Sequence, residues 1–332
     1  MSIRLQKSGL LTTVQDLGRL KYRRFGINPN GVMDTAAARL INILLGNDEN
    51  EAVLEMHFPA PQIVFEADAI VAIGGGDFSS TLDGQPAGNW RSFFAKKDSV
   101  LKFGGKSSGN RSYLAVKGGF RIEEWLGSSS TNLAAKIGGF DGRKLEGGDR
   151  LPFKAKAKKQ NTKINHRVSN GLIPHYSSFP TVRVIPGAEF EYLGKNSQKL
   201  FLKQDFTISK DSDRMGFRLN GELITLAKPQ ELVSSAVNFG TIQLLPGGEL
   251  IVLMADQQTA GGYPRIAHVI TADLPLLAQL GANDKVAFHQ VSTEVAEKLV
   301  LEYERELNFL RVGCRFQSNQ DLCEDRPKLR RG

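Results

Sequence analysis

"QIVFEADAIVAIGG", residues 62–75, decides how the chain is read. Isoleucine, valine and phenylalanine come in short runs, broken by a polar turn and stopped by a glycine pair, which is the grammar of strands. The same grammar recurs in "SVLKFGG" (99–105), "RSYLAVKGG" (111–119), "TVRVIPG" (181–187), "DFTIS" (205–209) and "ELIVLMA" (249–255). A mostly β protein with flanking helices follows.

Three segments read as helices. Asp34 caps the first, Ala37, Leu40, Ile41 and Leu44 recur at helical spacing, and Gly46 ends it. The second is short, "LPLLAQL" (274–280), with Asp273 before it and Gly281 after it. The third runs from Ser292 as N-cap to about Leu310. Its stripe of Val295, Leu299, Tyr303, Leu307 and Leu310, with glutamates opposite, implies packing on a sheet face.

With 332 residues, 41% hydrophobic and 23% charged, the chain has enough apolar material for two domain cores. The net charge is +8. Lys154, Lys156, Lys158, Lys159, Lys163 and Arg167 carry six positive charges, and Arg326, Lys328, Arg330 and Arg331 carry four, which leaves the rest at −2. The basic excess therefore lies in a linker and a tail, and a nucleic-acid surface is not expected. The N-terminal stretch lacks a signal-peptide pattern and no apolar run approaches ~18 residues, so a cytoplasmic protein off the membrane is expected. Cys314 and Cys323, nine apart, read as reduced thiols.

The expected division is a β-rich domain over 1–154, a basic linker over 155–178, a C-terminal domain over 179–312 and a charged tail over 313–332. The halves echo each other in "LEGGD" (145–149) and "LPGGE" (245–249), and in "LAVKGGF" (114–120) and "LMADQQTAGGY" (253–263). These echoes raise a duplicated β architecture.

Several catalytic signatures fail on inspection. "GGKS" (104–107) is no phosphate loop, because Val100 stands where its first glycine belongs. "GKSSG" (105–109) fits a nucleophile elbow in spelling, but strand-like "RSYLAV" follows in place of a helix, so a hairpin turn is expected. "GGGD" (74–77) follows a strand, yet Ser79 holds the third glycine position of a dinucleotide loop. The five histidines lack a zinc spacing, and no metal is expected. His268 and His289 remain as acid–base candidates because of the motif beside the first.

What survives is polar and glycine-rich. "DSDRMGFRLNG" (211–221) carries Ser212, Asp213 and Arg214 before Gly216. "DQQTAGGYPRI" (256–266) carries Gln257, Gln258 and Thr259, then Gly261, Gly262, Tyr263 and Arg265. "TTVQDLGRLKYRRFG" (12–26) adds Gln15, Asp16, Arg19, Arg23 and Arg24. Such loops suit either a carboxylate, phosphate or amide ligand, or turn-stabilising ion pairs.

Nine segments in order carry a resemblance: "GLLTTVQDLGR" (9–19), "RRFGINPNGVMD" (23–34), "LLGN" (44–47), "YLAVKGG" (113–119), "LGSSST" (126–131), "GGFDGRKLEGGD" (138–149), "SDRMGFRLNG" (212–221), "GTIQLLPGG" (240–248) and "QTAGGYPRIAHV" (258–269). They resemble the signature segments of the allophanate hydrolase subunit 2 family, also called the biotin-dependent carboxyltransferase family, which includes the C subunit of 5-oxoprolinase. The match spans about residues 3 to 290. The resemblance implies a cyclophilin-like β-barrel architecture, with the C-terminal domain of that type.

For a stand-alone chain, the resemblance implies the C subunit of an ATP-dependent 5-oxoprolinase. Such a component works with the A and B subunits to open 5-oxoproline to L-glutamate and is inactive by itself. The alternatives are a carboxyltransferase component receiving carboxybiotin for a urea-like or amide acceptor, and a regulatory partner of a protein resembling allophanate hydrolase subunit 1. On this reading Asp213, Arg214 and Tyr263 are catalytic. Ser212, Gln258, Thr259, Gly261, Gly262, Arg265, Asp16, Arg19 and Arg23 bind substrate, and "SDRMGFRL" lines a cleft shared with the partner. ATP enters through the complex, and biotin only under the carboxyl-transfer alternative. Two departures stand out: Ala60 where the family tends to glycine, and Gln257 where arginine is common, which removes an anion contact there.

Overall fold

The computed structural model describes residues 1–155, 166–228, 230 and 232–324, with side chains as far as 316. The first half holds β1 (Ser2–Lys7), β2 (Thr12–Gln15), β3 (Val53–His57), β4 (Gln62–Phe65), β5 (Ala69–Asp77), β6 (Ser80–Leu82), β7 (Gln85–Pro86), β8 (Arg91–Ala95), β9 (Val100–Phe103), β10 (Ser108–Val116) and β11 (Arg150–Pro152). They form a six-stranded sheet, β11-β1-β4-β9-β6-β7, and a five-stranded sheet, β2-β3-β10-β5-β8. Ile3, Ile63 and Phe65 of the first meet Leu54, Val71, Ile73 and Leu114 of the second in one core.

The stretch 62–75 is explained by this packing. Along β5, Val71 and Ile73 face that core, while Ile70 and Ala72 face helix α1 (Thr35–Leu45) with Leu40, Ile41 and Leu44. A strand covered on both faces loses the polar half of its alternation and reads as a continuous apolar run. The glycines that end it are close-approach positions. A Cβ on Gly74 would lie 2.6 Å from Cγ2 of Ile41, and one on Gly75, at φ +82°, would lie 2.6 Å from the Arg111 carbonyl.

The second half holds β12 (Thr181–Pro186), β13 (Phe206–Ile208), β14 (Gly216–Asn220), β15 (Ser235–Ala236), β16 (Thr241–Leu244), β17 (Leu250–Leu253), β18 (Ala260–Gly261), β19 (Arg265–Val269) and β20 (Lys285–Gln290). Seven of them close a barrel, β12-β19-β16-β17-β14-β13-β20, and β15 pairs with β18 outside it. Val182, Phe206, Phe217, Ile242, Val252 and Phe288 fill the interior. Helix α2 (Lys195–Lys203), absent from the sequence reading, seals one opening by stacking Phe201 on Phe288 at 5.1 Å between centroids. Helix α3 (Leu274–Ala278) adds Leu277 to the same core.

Asp34 accepts the N–H of Ala37 at 2.9 Å and Gly46 turns left-handed at φ 69°, as the α1 signals require. Asp273 does not cap α3; its carboxylate is taken by Arg183 through Nε at 2.9 Å.

Helix α4 (Thr293–Glu324) overturns two expectations. It continues through residues assigned to the charged tail, and it packs on α1 because α1 already occupies the sheet face; Leu307 and Cys314 are buried there. The linker also needs correction. Residues 156–165 lie outside the described residues, but His166 and Val168 are 8% and 1% exposed. This stretch docks beside β8, where Ser92 donates its backbone N–H to the His166 carbonyl at 2.9 Å. Two well-placed side chains anchor a segment that has no hydrophobic period.

"GKSSG" is no hairpin: it leads from β9 in one sheet to β10 in the other. The first sequence echo has a structural counterpart, since Gly148 and Gly248 both adopt positive φ, +97° and +90°. The second does not: Gly118 and Gly119 are left-handed, whereas Gly261 and Gly262 are not.

Candidate functional site

The two halves meet along a buried polar seam. In the β3–β10 register Tyr113 lies opposite Glu55 and Arg111 opposite His57, so all four project from one sheet face. The barrel presents Arg214 to that face from the turn before β14. Arg214 donates from Nε to Asp256 Oδ2 at 2.9 Å, from Nη2 to Asp256 Oδ1 at 3.0 Å and to the Gly31 carbonyl at 2.5 Å, and from Nη1 to Glu55 Oε1. The other oxygen of Glu55 accepts the Met33 N–H at 2.7 Å and the Tyr113 hydroxyl at 2.9 Å.

The network runs on in both directions. Asn30 donates to Asp256 at 2.8 Å, and Arg19 donates to Asn30 and to the Ser130 carbonyl while lying 5.1 Å over the Trp125 ring. Asp16 accepts the hydroxyls of Ser128 at 2.7 Å and Ser130 at 2.6 Å, and the Ser129 N–H at 2.6 Å. On the far side, Asp34 accepts the Tyr176 hydroxyl at 2.6 Å and the Gln279 amide at 2.9 Å. Arg111 is bonded to the carbonyls of Ala278 and Leu280 and lies 5.5 Å over Phe217.

Electrostatics follow from this wiring. Burial opposes ionisation of Glu55, but Arg214, with His57 and Arg111, holds its carboxyl well below the usual carboxylate range. Burial likewise opposes the charge on Arg214, and Asp256 and Glu55 more than compensate. Burial pushes the Asp34 carboxyl up despite the Gln279 and Tyr176 bonds. Burial, then Arg111, lowers His57; its Nε2 is buried without a hydrogen-bond partner, 3.8 Å from Glu55.

Several of the expected site residues are engaged by the protein itself, in this seam or elsewhere. Arg214, expected to meet a ligand anion, is 5% exposed and saturated by protein acceptors. Asp16 and Arg19, 4% and 2% exposed, build the seam and do not face solvent. Arg23 reaches from the short 3-10 turn Leu20–Phe25 to the Val237 carbonyl and the Asn238 side chain. Arg265 is clamped by Glu189 through Nε at 2.9 Å and Nη2 at 2.6 Å. Ser212 closes its own turn, accepting the Arg218 N–H at 3.0 Å. Of the histidine candidates, His268 bonds Thr241 at 3.1 Å and is lowered by burial, and His289 is exposed at the end of β20.

The remaining residues do converge. A cavity of about 520 Å³ lies on the outer face of β14, β17 and β16, and Asp213, Met215, Gln258 and Tyr263 stand around it with Asp211, Arg218, Gln243 and Glu249. Asp213 accepts the Met215 N–H at 2.8 Å, which fixes the turn and leaves Met215 46% exposed. A second cavity, about 700 Å³, shares Tyr263 and adds Gly262, Leu223 and Leu232. Tyr263 stands with Leu245, Pro246 and Gly247, which also line both, on the ridge between the two recesses. Gly216 serves the barrel, since a Cβ there would lie 2.6 Å from Ile251 Cδ1. Thr259 and Gly261 belong to the β15–β18 ribbon beside the cavity, with the Thr259 carbonyl accepting the Val237 N–H at 3.2 Å.

With Arg214 and Arg265 engaged elsewhere, the cavity offers Arg218 against three carboxylates. It can hydrogen-bond an amide through Gln258 and Tyr263, and it is poorly equipped to hold an anion unaided. Among the described residues no group of three or more His, Cys, Asp or Glu is arranged for a metal, and no helix is long and apolar enough to cross a membrane.

The sequence reading missed Glu55, Arg111, Tyr113, Asp256 and Gln279. A signal existed for the first two: an acid inside "VLEMH" and an arginine leading "RSYLAV" are charges in apolar strands, and such charges are buried only when paired.

Comparison with known proteins places this geometry. Residues 25–290 match the family described as carboxyltransferase domain, subdomain A and B. The chain is 38% identical over 289 residues to the C subunit of 5-oxoprolinase from Haemophilus influenzae, covering 86% of this chain and 90% of that protein. It is 35% identical over 303 residues to the corresponding 5-oxoprolinase C subunit of Escherichia coli, covering 91% and 96%. The crystal structure of Kluyveromyces lactis urea carboxylase superposes with a TM-score of 0.87 at 26% identity, over 93% of this chain and 29% of that longer one. The family match over residues 25–290, with relatives 38% and 35% identical across most of the chain, makes the chain a member of the carboxyltransferase family of subdomains A and B.

Proposed function

We propose that the chain is the C subunit of an ATP-dependent 5-oxoprolinase, a hydrolase component acting in the cytoplasm with the A and B subunits and inactive alone. The observation that carries this is the 38% identity to the Haemophilus influenzae C subunit across 90% of that protein. Opening a lactam requires a more electrophilic carbonyl. Transfer of the γ-phosphoryl group of ATP to the lactam oxygen supplies it: water adds to the activated carbon, the ring C–N bond breaks as the nitrogen takes up a proton, and a second water hydrolyses the resulting acyl phosphate to the carboxylate and phosphate.

The cavity beside Tyr263 supports a shared site. Its amide and phenol groups suit a lactam, while its carboxylates leave the phosphate charge to be met from a partner. In this reading Asp213, Gln258, Gly262 and Tyr263 face the ligand or partner, and Arg214, Asp16 and Arg19 position the surface that carries them. Purified chain is mixed with the A and B subunits, 5-oxoproline and ATP, and glutamate is measured. Turnover by those two components that does not depend on this chain rejects the proposal.

A second reading is carboxyl transfer from carboxybiotin to a urea-like or amide acceptor, favoured by the likeness to urea carboxylase over 93% of this chain. Carboxybiotin consumption by the reconstituted complex, with no acceptor-dependent turnover across ureas and amides, eliminates it.

A further inference from the structure

Helix α4 helps to enclose a recess that shares no residue with the cavities beside Tyr263. A cavity of about 260 Å³ lies where α1, the docked linker, α3 and α4 meet. Its apolar wall is Ala36 of α1, Leu172 and Ile173 of the linker, Pro275 and Leu276 of α3, and Val300 of α4. Two arginines also line it, and both are already engaged. Arg39 donates from Nε to Glu49 at 2.7 Å, and from Nη1 and Nη2 to Glu304 at 2.6 and 2.8 Å. Arg183 is held by Asp273 through Nε at 2.9 Å and Nη2 at 2.5 Å. Tyr303 stands in the same lining, and its hydroxyl is buried without a hydrogen-bond partner among the described residues. Burial, then the Asp34 carboxyl, raise this phenol above its ordinary value, so it stays a protonated donor. The α4 wall lies beyond residues 25–290, the part of the chain matched to the family.

We propose that this cavity binds a small neutral molecule with an apolar body the size of a single ring and one carbonyl, whose oxygen accepts the Tyr303 hydroxyl. Volume, charge and the orphaned donor each set one of these properties. A dry cavity of ~150 Å³ takes a benzene ring, so the larger volume here admits such a ring with a short substituent. The arginines and carboxylates of the lining already neutralise each other. A further charge would lose its water with no partner left to offset the loss, so carboxylates and ammonium groups are rejected. A buried hydroxyl without a partner is uncommon in folded proteins, and a carbonyl oxygen supplies the acceptor that it lacks. 5-Oxoproline, which carries a carboxylate, does not meet these requirements. An occupant touches α1, α3 and α4 together, and binding to the folded chain alone stabilises that arrangement by mass action.

The test is a ligand-observed NMR titration of the full chain with molecules of one shape: acetophenone, which is neutral and carries a carbonyl, benzoate, which is charged, and α-methylstyrene, in which a methylene replaces the carbonyl oxygen. Acetophenone is expected to bind with a Kd on the order of 0.1–1 mM, and benzoate at least about tenfold more weakly. Tyr303→Phe keeps the ring and removes the hydroxyl. It should weaken acetophenone about fivefold and leave α-methylstyrene within about twofold of its wild-type affinity. Its unfolding midpoint should not fall, because no hydrogen bond is lost. Val300→Trp, at a half-buried position in the wall, should block both neutral molecules. No binding of acetophenone at millimolar concentration overturns the proposal. So does benzoate bound as well as acetophenone, which gives the cavity to an anion. Acetophenone bound equally by the wild type and Tyr303→Phe, or undiminished in Val300→Trp, places it in another recess and equally overturns it. The titration needs neither ATP nor another subunit, so its outcome is independent of the 5-oxoprolinase reading.

Discussion

The guanidinium of Arg214, from the barrel, and the carboxylate of Glu55, from the five-stranded sheet, are bonded to each other in the buried seam between the two halves. Arg214→Lys keeps the charge but cannot span Asp256, Glu55 and the Gly31 carbonyl together. It leaves buried acceptors unpaired, and the expected loss is about 3 kcal/mol of stability, read by urea denaturation. Glu55→Gln should cost a similar amount, and the double variant less than the two losses combined. A wild-type midpoint for Arg214→Lys returns this residue to a role in ligand contact.

His57 makes stability depend on pH. Burial and Arg111 lower its folded pKa below the ordinary histidine value, so on acidification the unfolded chain takes up a proton that the folded chain refuses. Its contribution is present above about pH 6.5, the unfolded value, and is lost as pH falls below it. His57→Gln should flatten the stability profile in that window. Glu55, also depressed, acts in the same direction at lower pH, its contribution falling away progressively below about pH 4.5, its unfolded value. An unchanged slope in the His57 variant places the pH dependence elsewhere, with lowered His268 as the next residue to replace.

The glycine run within β5 should be intolerant of the smallest addition. Gly75→Ala combines a positive φ of +82° with a Cβ 2.6 Å from the Arg111 carbonyl, and a loss above about 2 kcal/mol is expected in thermal or denaturant unfolding. Gly84→Ala is the control, with a similar φ of +83° and open space around it; it should lose about 1 kcal/mol. Equal losses would mean that backbone strain alone sets the cost.

Gly262 separates function from folding. Its φ is not in the left-handed region, and a Cβ there would meet Ser234 Oγ at 3.4 Å and the Leu232 carbonyl at 3.5 Å, ordinary contact distances. Gly262→Val should change stability by less than about 1 kcal/mol while lowering glutamate formation by the reconstituted complex. Gly261→Val is the contrasting variant, since its Cβ would lie 2.7 Å from the Gln243 amide and force that side chain to move. Full activity in Gly262→Val would remove this edge of the cavity from the site.

Tyr263, 44% exposed on the ridge between the two cavities, is the residue whose loss should be felt in turnover and least in stability. Tyr263→Ala is expected to reduce reconstituted activity at least about tenfold with a midpoint near wild type. Separate measurement of complex formation tells whether the phenol serves the partner or the substrate. Unaltered turnover and binding would exclude it from both.

By itself the sequence determined the kinds of element and the family. Strand runs bounded by glycine, the Asp34 cap and the Gly46 stop are local effects of backbone sterics and side-chain reach, and local effects are written in neighbouring residues. The cavity group Asp213, Gln258 and Tyr263 was legible for the same reason, because it sits on two polar turns. What only the tertiary structure decided is which charges pair. Arg214 meets Glu55 across 159 positions, Gln279 meets Asp34 across 245, and Arg39 meets Glu304 across 265. No local pattern encodes such partners. An arginine in an exposed turn and an arginine sealed between domains have the same spelling, and burial, which removes water as the competing partner, makes the second a structural strut.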